Sequence, residues 1–327
     1  MSAVVAVSCG EPAGIGPELA AAAWRALGAR LPFLWIGDPA HLPPGTPVAE
    51  IDGPEQAAEA SRHGLPVLAL PFAAPARPGH PDPANAASVI EAIRRAHALV
   101  AEGRAAAMTT LPISKEMLVR GAGFAFPGHT EYLAHLSGGG RAVMMLAGEG
   151  LRVVPATVHI PLADVPAALS AEGLMEVLQI THAALVRDFG IAAPRLAVAG
   201  LNPHAGEGGL MGQEEARIIT PVLEALRAGG MEIAGPLPAD TMFHPAARAR
   251  FDAAVAMYHD QALIPIKTLD FSGAVNVTLG LPVVRTSPDH GTAFDIAGTG
   301  QADPDSFIAA LRLARRMALA RGRAGTG

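Results

Sequence analysis

The stretch "VVAVSCGEPAGIGPE" (4–18) decides the fold. It opens on a continuous run of small and β-branched apolar residues, without the polar alternation of a strand that has one wet face. Such a run reads as a strand buried on both sides. A glycine-rich turn follows, and then a helix with Pro17 in its first turn, where the missing N–H is harmless. The same unit recurs along the chain. "AAAMTT", "LRVVPATV", "RLAVAG", "AAVAMY" and "LPVVRT" read as buried strands, and helical patterns run over 85–103 and around 172–189, 213–228 and 303–321. Alternation of this kind predicts an α/β fold, with mostly parallel sheets and helices on both faces. Pro155, inside a strand-like run, predicts an edge position or a bulge. "PFAAPARPGHPDP" (71–83) reads as a surface loop, and there is no internal repeat or long linker.

Composition narrows the function classes. The 327 residues are half hydrophobic and 17% charged, which suits two packed lobes and excludes a disordered chain. The net charge of −6, with no basic block, argues against nucleic acid or a membrane as the main partner. A single cysteine, Cys9, allows no intramolecular disulfide and fits a reducing, cytoplasmic setting. The N-terminus lacks the basic and apolar regions of a signal peptide. No apolar run reaches the roughly 18–20 residues that span a bilayer.

Of the 24 basic residues only Lys115 and Lys267 are lysines; asparagine is limited to Asn85, Asn202 and Asn276, and tyrosine to Tyr132 and Tyr258. All three have A/T-rich codons, so a GC-rich genome drifts away from them at indifferent positions. The survivors then mark places where Arg, Asp or Phe does not serve.

Nearly every strand-like run ends on a polar or glycine-rich signature, and open α/β sheets bind ligands beyond the carboxyl ends of their strands. The pattern predicts an enzyme or small-molecule binder with one composite cleft. His159, His204 and His259 each follow a strand-like run, and three converging imidazoles make a divalent-metal site with positions left for substrate oxygen. Asp240 and Asp260 are candidates to complete the shell or orient an imidazole. "GEPAGIGPE" (10–18) suits either a tight turn or an anion-contacting loop, and matches neither common phosphate-loop pattern. In "GHTEYLAHL" (128–136) His129 or Thr130 sits where a helix cap is expected. Lys267, Asn276 and Arg285 are placed to cradle a phosphate, with the guanidinium supplying a bidentate fork. In "DHGTAFDIAGTGQADP" (289–304) Asp295 can accept from both ribose hydroxyls of NAD, and disfavours the 2′-phosphate of NADP.

With these motifs in order, the sequence resembles the 4-hydroxythreonine-4-phosphate dehydrogenase family of vitamin B6 biosynthesis over essentially the whole chain. The resemblance rests on "GEPAGIGPE", "PISK", "GHTEYLA", "HIPL", "GLNPHAGEGG", "GPLPADTMF", "YHDQALIPIK", "VNVTLGLPVVRTS" and "DHGTAFDIAG". It implies a two-lobed fold like isocitrate and isopropylmalate dehydrogenases, with 1–127 plus 282–327 in one lobe. The central lobe, 128–281, would carry the metal ligands and a homodimer interface. It makes His159, His204 and His259 the ligands of one divalent ion (Zn, Co or Mg), one of them given by the neighbouring subunit, with Asp240 as a further candidate. His129, Thr130, Lys267, Asn276 and Arg285 become substrate contacts, and Gly291, Thr292, Ala293 and Asp295 the NAD loop, with NADP possible. The resemblance does not identify the base; Lys115, the other surviving lysine, is the candidate, since a desolvated lysine can titrate near neutrality. The implied reaction is oxidation of 4-phosphooxy-L-threonine at C3, then loss of CO2. The alternatives are a same-family dehydrogenase of a threonate or erythronate phosphate or a dihydrodiol dicarboxylate, and a three-histidine metal hydrolase. Departures from the family pattern are Leu111, Pro155 and Pro288.

Overall fold

In a computed structural model, which describes residues 4–324, the chain forms two compact units. The first contains the chain up to Ala142 together with the segment from Leu281 onward, and the second is Val143–Gly280. The first boundary lies beyond that expected from sequence. The helix His129–Leu136 belongs to the terminal unit, where it packs against the helix Ala86–Ala101 and His97 Nε2 lies 2.9 Å from Ser137 Oγ.

The terminal unit is built on β1 (Val5–Ser8), β2 (Phe33–Gly37), β3 (Val48–Glu50), β4 (Leu65–Ala69), β5 (Ala107–Thr110) and, after the chain returns, β12 (Arg285–Pro288). Their order is β3-β4-β2-β1-β5-β12, and every pairing is parallel. Side chains alternate between the two faces of a strand, so strands buried at every residue are covered on both sides. This holds for β1, β2 and β5. The helices Ala86–Ala101 and Asp305–Ala324 pack on these central strands, and Phe33 of β2 meets Phe307 edge-on at 6.1 Å.

The second unit uses β6 (Val143–Gly148), β7 (Leu151–Pro155), β8 (Arg195–Ala199), β9 (Glu232–Leu237), β10 (Ala253–Ala256) and β11 (Val275–Leu279) in the order β11-β6-β7-β10-β8-β9. β6 runs antiparallel to both neighbours, while β7, β10, β8 and β9 are mutually parallel. Its core gathers Leu146, Val153, Ala197, Ala254 and Ile266.

The α/β, mostly parallel reading is therefore correct, but two local expectations change. Pro155 is neither on an edge nor in a bulge. It is the last residue of β7, between β6 and β10, and Ala156 N, one residue on, donates to Ala256 O at 2.8 Å. The strand in "LPVVRT" starts at its polar end. Leu281–Val284 are irregular, and "RTSP" pairs with β5, because its polar side chains find partners there: Thr286 Oγ1 lies 2.9 Å from Thr109 Oγ1.

Candidate functional site

Because β7, β10 and β8 are adjacent and parallel, their carboxyl ends share one edge of the sheet. His159, His259 and His204 follow those three strands in that order. Two cross-braces hold the loops together. Thr157 donates through both N–H (3.2 Å) and Oγ1 (2.8 Å) to Met257 O. Gln261 accepts from Met257 N at 2.7 Å and donates to Gly200 O at 2.8 Å, tying the end of β10 to the end of β8.

The His159 and His259 rings lie 5.6 Å apart and line one cavity of about 200 Å³ with Thr157, Tyr258 and Asp260. His259 Nδ1 is 2.7 Å from Asp260 Oδ1, so Asp260 takes the orienting role and Nε2 is the nitrogen left for a ligand. This donor chemistry fits a divalent ion of the borderline kind. The fit is partial, because among the described residues no three His, Cys, Asp or Glu side chains form a group that could hold a metal. His204 is exposed and does not line this cavity. Asp240, exposed in the turn Ala239–Thr241, does not line it either.

The loop bearing His204 has unusual backbone geometry. Residues 204–208 all have left-handed dihedrals, including the non-glycines His204, Ala205 and Glu207 (φ 53°, 52° and 41°). Each of those costs about 1–2 kcal/mol, and such conformations persist only where surrounding structure holds them. The holder is an Asn–Glu clamp. Asn202 Nδ2 donates to Glu214 Oε2 (2.8 Å) and Glu215 Oε2 (2.9 Å), and Asn202 N donates to Glu215 Oε1 (2.7 Å). Glu215 is buried and opens a π-helical turn, Glu215–Ile219, in the helix expected over 213–228. Gly206 has φ 78°, and a Cβ there would lie 2.6 Å from Glu215 Oε2. The scarcity of asparagine flagged Asn202; its glutamate partners gave no sequence signal.

In the terminal unit, Arg285 is 4% exposed and its guanidinium donates through Nε (3.2 Å) and Nη2 (2.6 Å) to Oγ1 of Thr110, itself fully buried. Burial pushes Arg285 down to about 10, partly countered by the charge of Glu131, so it stays cationic at neutral pH. His129 is the first residue of its helix. Its Nε2 is buried without a hydrogen-bond partner, although the residue as a whole is only half-buried. Burial first, and then the Arg285 charge, hold the imidazole well below the usual histidine range. It is therefore neutral at pH 7. Neither His129 nor Thr130 caps the helix: Gly128 is the N-cap, with no side-chain cap bond.

Lys267 and Asn276 lie in the second unit, on the helix His259–Leu269 and on β11, and the Lys267 ammonium sits 4.9 Å from the centre of the Phe271 ring. Lys115 begins the helix Lys115–Ala122 after the N-cap Ser114 and is exposed, so its own unit lacks the burial that the base assignment required. Asn85 is a structural survivor, buried and accepting Ala74 N at 2.9 Å.

The loop 289–300 carries Gly291, Thr292, Ala293 and Asp295. Ala293 is left-handed (φ 45°), and His290 Nε2 is buried without a partner. A strained non-glycine and an orphaned nitrogen in one polar loop fit a loop shaped to receive a ligand such as an adenosine.

The family model of "Pyridoxal phosphate biosynthetic protein PdxA" matches residues 33–314. A 4-hydroxythreonine-4-phosphate dehydrogenase of Roseobacter denitrificans is 62% identical over 318 residues, 97% of this chain and 98% of that one. The enzyme of the same name from Paracoccus denitrificans is 62% identical over 322 residues, with the same coverage. The crystal structure of the Klebsiella pneumoniae 4-hydroxythreonine-4-phosphate dehydrogenase superposes with a TM-score of 0.89 at 42% identity, over 96% of this chain and 99% of that one.

Proposed function

The chain belongs to the pyridoxal phosphate biosynthetic protein PdxA family, and on that premise we propose that it oxidises 4-phosphooxy-L-threonine at C3 with a nicotinamide cofactor. The observation that carries this is 62% identity, over nearly the full length of both chains, to dehydrogenases of that substrate. The product, 2-amino-3-oxo-4-phosphooxybutanoate, is a β-keto acid that loses CO2 to give 3-amino-2-oxopropyl phosphate, in vitamin B6 biosynthesis. Other phosphorylated hydroxy acids, dihydrodiol dicarboxylates and metal-dependent hydrolysis are not favoured.

The site residues take the roles that the family resemblance implies, with structural support for some of them. Arg285, cationic and held by Thr110, is the phosphate ligand of the terminal unit, and Lys267 and Asn276 of the second unit keep the substrate contacts that the family resemblance implies. His129 stays neutral beside that charge and offers Nε2 to a polar substrate group, next to Thr130. Asp295 accepts from the cofactor ribose, favouring NAD over NADP, within the loop of Gly291, Thr292 and Ala293. His159 and His259 hold one divalent ion through ring nitrogens, and Asp260 fixes the His259 ring. When bound, the ion (Zn, Co or Mg) would supply Lewis-acid polarisation of substrate oxygen and the nicotinamide would accept the hydride.

His204 completes the ligand set from a second copy of the chain. The cavity around His159 and His259, about 200 Å³, is smaller than the roughly 300–1,000 Å³ of a typical small-molecule site. Large apolar side chains stand in water just beyond each histidine: Leu162 (66% exposed), Leu210 (85%) and Ile264 (63%), with Phe271 (75%) at the end of the His259 helix. Exposed apolar surface around an incomplete site supports a homodimer interface there. The biosynthetic role and the reducing setting suggested by the lone Cys9 support a cytoplasmic enzyme; no helix of the described residues is long and apolar enough to cross a membrane.

The test is turnover of 4-phosphooxy-L-threonine, erythronate 4-phosphate and a dihydrodiol dicarboxylate, each with NAD+ and with NADP+. The first should give the highest kcat/KM, and an inert first substrate beside an active second would move the activity elsewhere in the family.

A further inference from the structure

The motif "GEPAGIGPE" packs against the loop assigned to the cofactor. Ile15 N donates to Thr292 O at 3.0 Å. Gly14 lies so close that a Cβ there would be 2.8 Å from the same oxygen. Ala13 O accepts Gly79 N at 2.8 Å, and a Cβ on Gly79 would in turn sit 3.0 Å from Phe294 O. The far end of the loop is held by Glu18, in the first turn of the helix Gly16–Leu27. Its Oε1 accepts Gly300 N at 3.1 Å, while its Oε2 is buried without a hydrogen-bond partner. One short motif therefore grips the loop at Thr292 and at Gly300, on either side of Asp295.

We propose that Glu18 is a positioning residue for the nicotinamide cofactor, fixing the curvature of the 292–300 loop through Gly300 so that Asp295 faces the adenosine ribose. The proposal rests on the cofactor assignment made above. It gives the N-terminal motif a role distinct from phosphate binding: the motif shapes the loop that binds. The loop needs such a grip because Ala293 is held left-handed, a conformation that relaxes once its neighbours are free.

The test is NAD+ affinity measured by titration without substrate, alongside steady-state kinetics, for Glu18→Ala, Glu18→Gln and Gly14→Ala. Loss of an acceptor for a backbone N–H at the carboxylate should weaken NAD+ binding about tenfold in Glu18→Ala. KM for NAD+ should rise equally, with kcat and the KM for 4-phosphooxy-L-threonine held within about twofold. Glu18→Gln, whose amide oxygen still accepts from Gly300, should restore most of the affinity. Gly14→Ala, which presses on Thr292 from the other end, should weaken NAD+ with the same selectivity. NAD+ affinity unchanged in Glu18→Ala, or a glutamine variant as weak as alanine, or kcat falling with affinity, would overturn the proposal alone. An unmodified chain that binds no NAD+ or NADP+ would overturn the cofactor assignment, and the proposal with it.

Discussion

Replacing Thr110 by valine removes one oxygen from the protein interior and, with it, two hydrogen bonds from the Arg285 guanidinium. Thr110 Oγ1 accepts from both Nε and Nη2 of Arg285, at 3.2 and 2.6 Å, and both residues are buried. A hydrogen bond to a charged group contributes about 1.5–3 kcal/mol. The 3.2 Å contact is the weaker, so the variant should lose about 2–3 kcal/mol of stability. On the proposed role of Arg285 as a phosphate ligand, the guanidinium also loses two of the contacts that fix its orientation. About 1.4 kcal/mol of lost aim is a tenfold rise in KM for the phosphorylated substrate, with a smaller change in kcat. Urea denaturation followed by circular dichroism reads the first effect and steady-state kinetics the second. Thr110→Ser, which keeps the oxygen, should recover most of both. If the valine and serine variants both match the parent in midpoint and in KM, Thr110 does not aim Arg285, and the reasoning fails.

The other expectations are shorter. Asn202→Ala removes the two amide bonds that clamp the left-handed loop, and should destabilise the chain by roughly 2 kcal/mol and weaken divalent-metal affinity at least tenfold in isothermal titration; unaltered metal binding would separate the clamp from His204. Acid should destabilise the fold below the ordinary histidine range. The His129 pKa is depressed on folding, so the unfolded chain binds the extra proton, and stability present above about pH 6.5 falls as pH drops, by at most about 1.4 kcal/mol per pH unit. Denaturation midpoints between pH 7.5 and 5.5 should show this slope in the parent and a shallower one in His129→Asn. Leu210→Asp combined with Ile264→Asp should shift the chain from dimer to monomer in sedimentation, with loss of turnover, whereas an active monomer would refute the shared site.

What could be read from the sequence follows from which forces leave a local trace. Strands buried on both faces leave continuous apolar runs, so β1, β5, β7, β8 and β10 were legible, and with them the positions of His159, His204 and His259 beyond strand ends. β12 was misplaced because its pairing residues are Arg285, Thr286, Ser287 and Pro288. Their burial depends on partners such as Thr109 and Thr110, some 175 residues away in sequence. Thr110, Gln261 and the glutamates that hold Asn202 were invisible for the same reason: each acts by a hydrogen bond across the fold, and a lone Thr or Gln has no periodicity. Lys115 stands out by rarity, but rarity reports that a residue is retained, and burial decides whether it can serve as a base. Its exposure at a helix start argues against that role within its own unit.

The central claim is the chemistry at C3, and its most direct test is a stoichiometric one. With the metal-loaded protein, 4-phosphooxy-L-threonine and NAD+, one reduced nicotinamide should appear for each CO2 released, and neither should form when His259 is replaced by Ala. Reduced nicotinamide without CO2, or consumption of the phosphorylated substrate in the absence of any nicotinamide, would contradict the account.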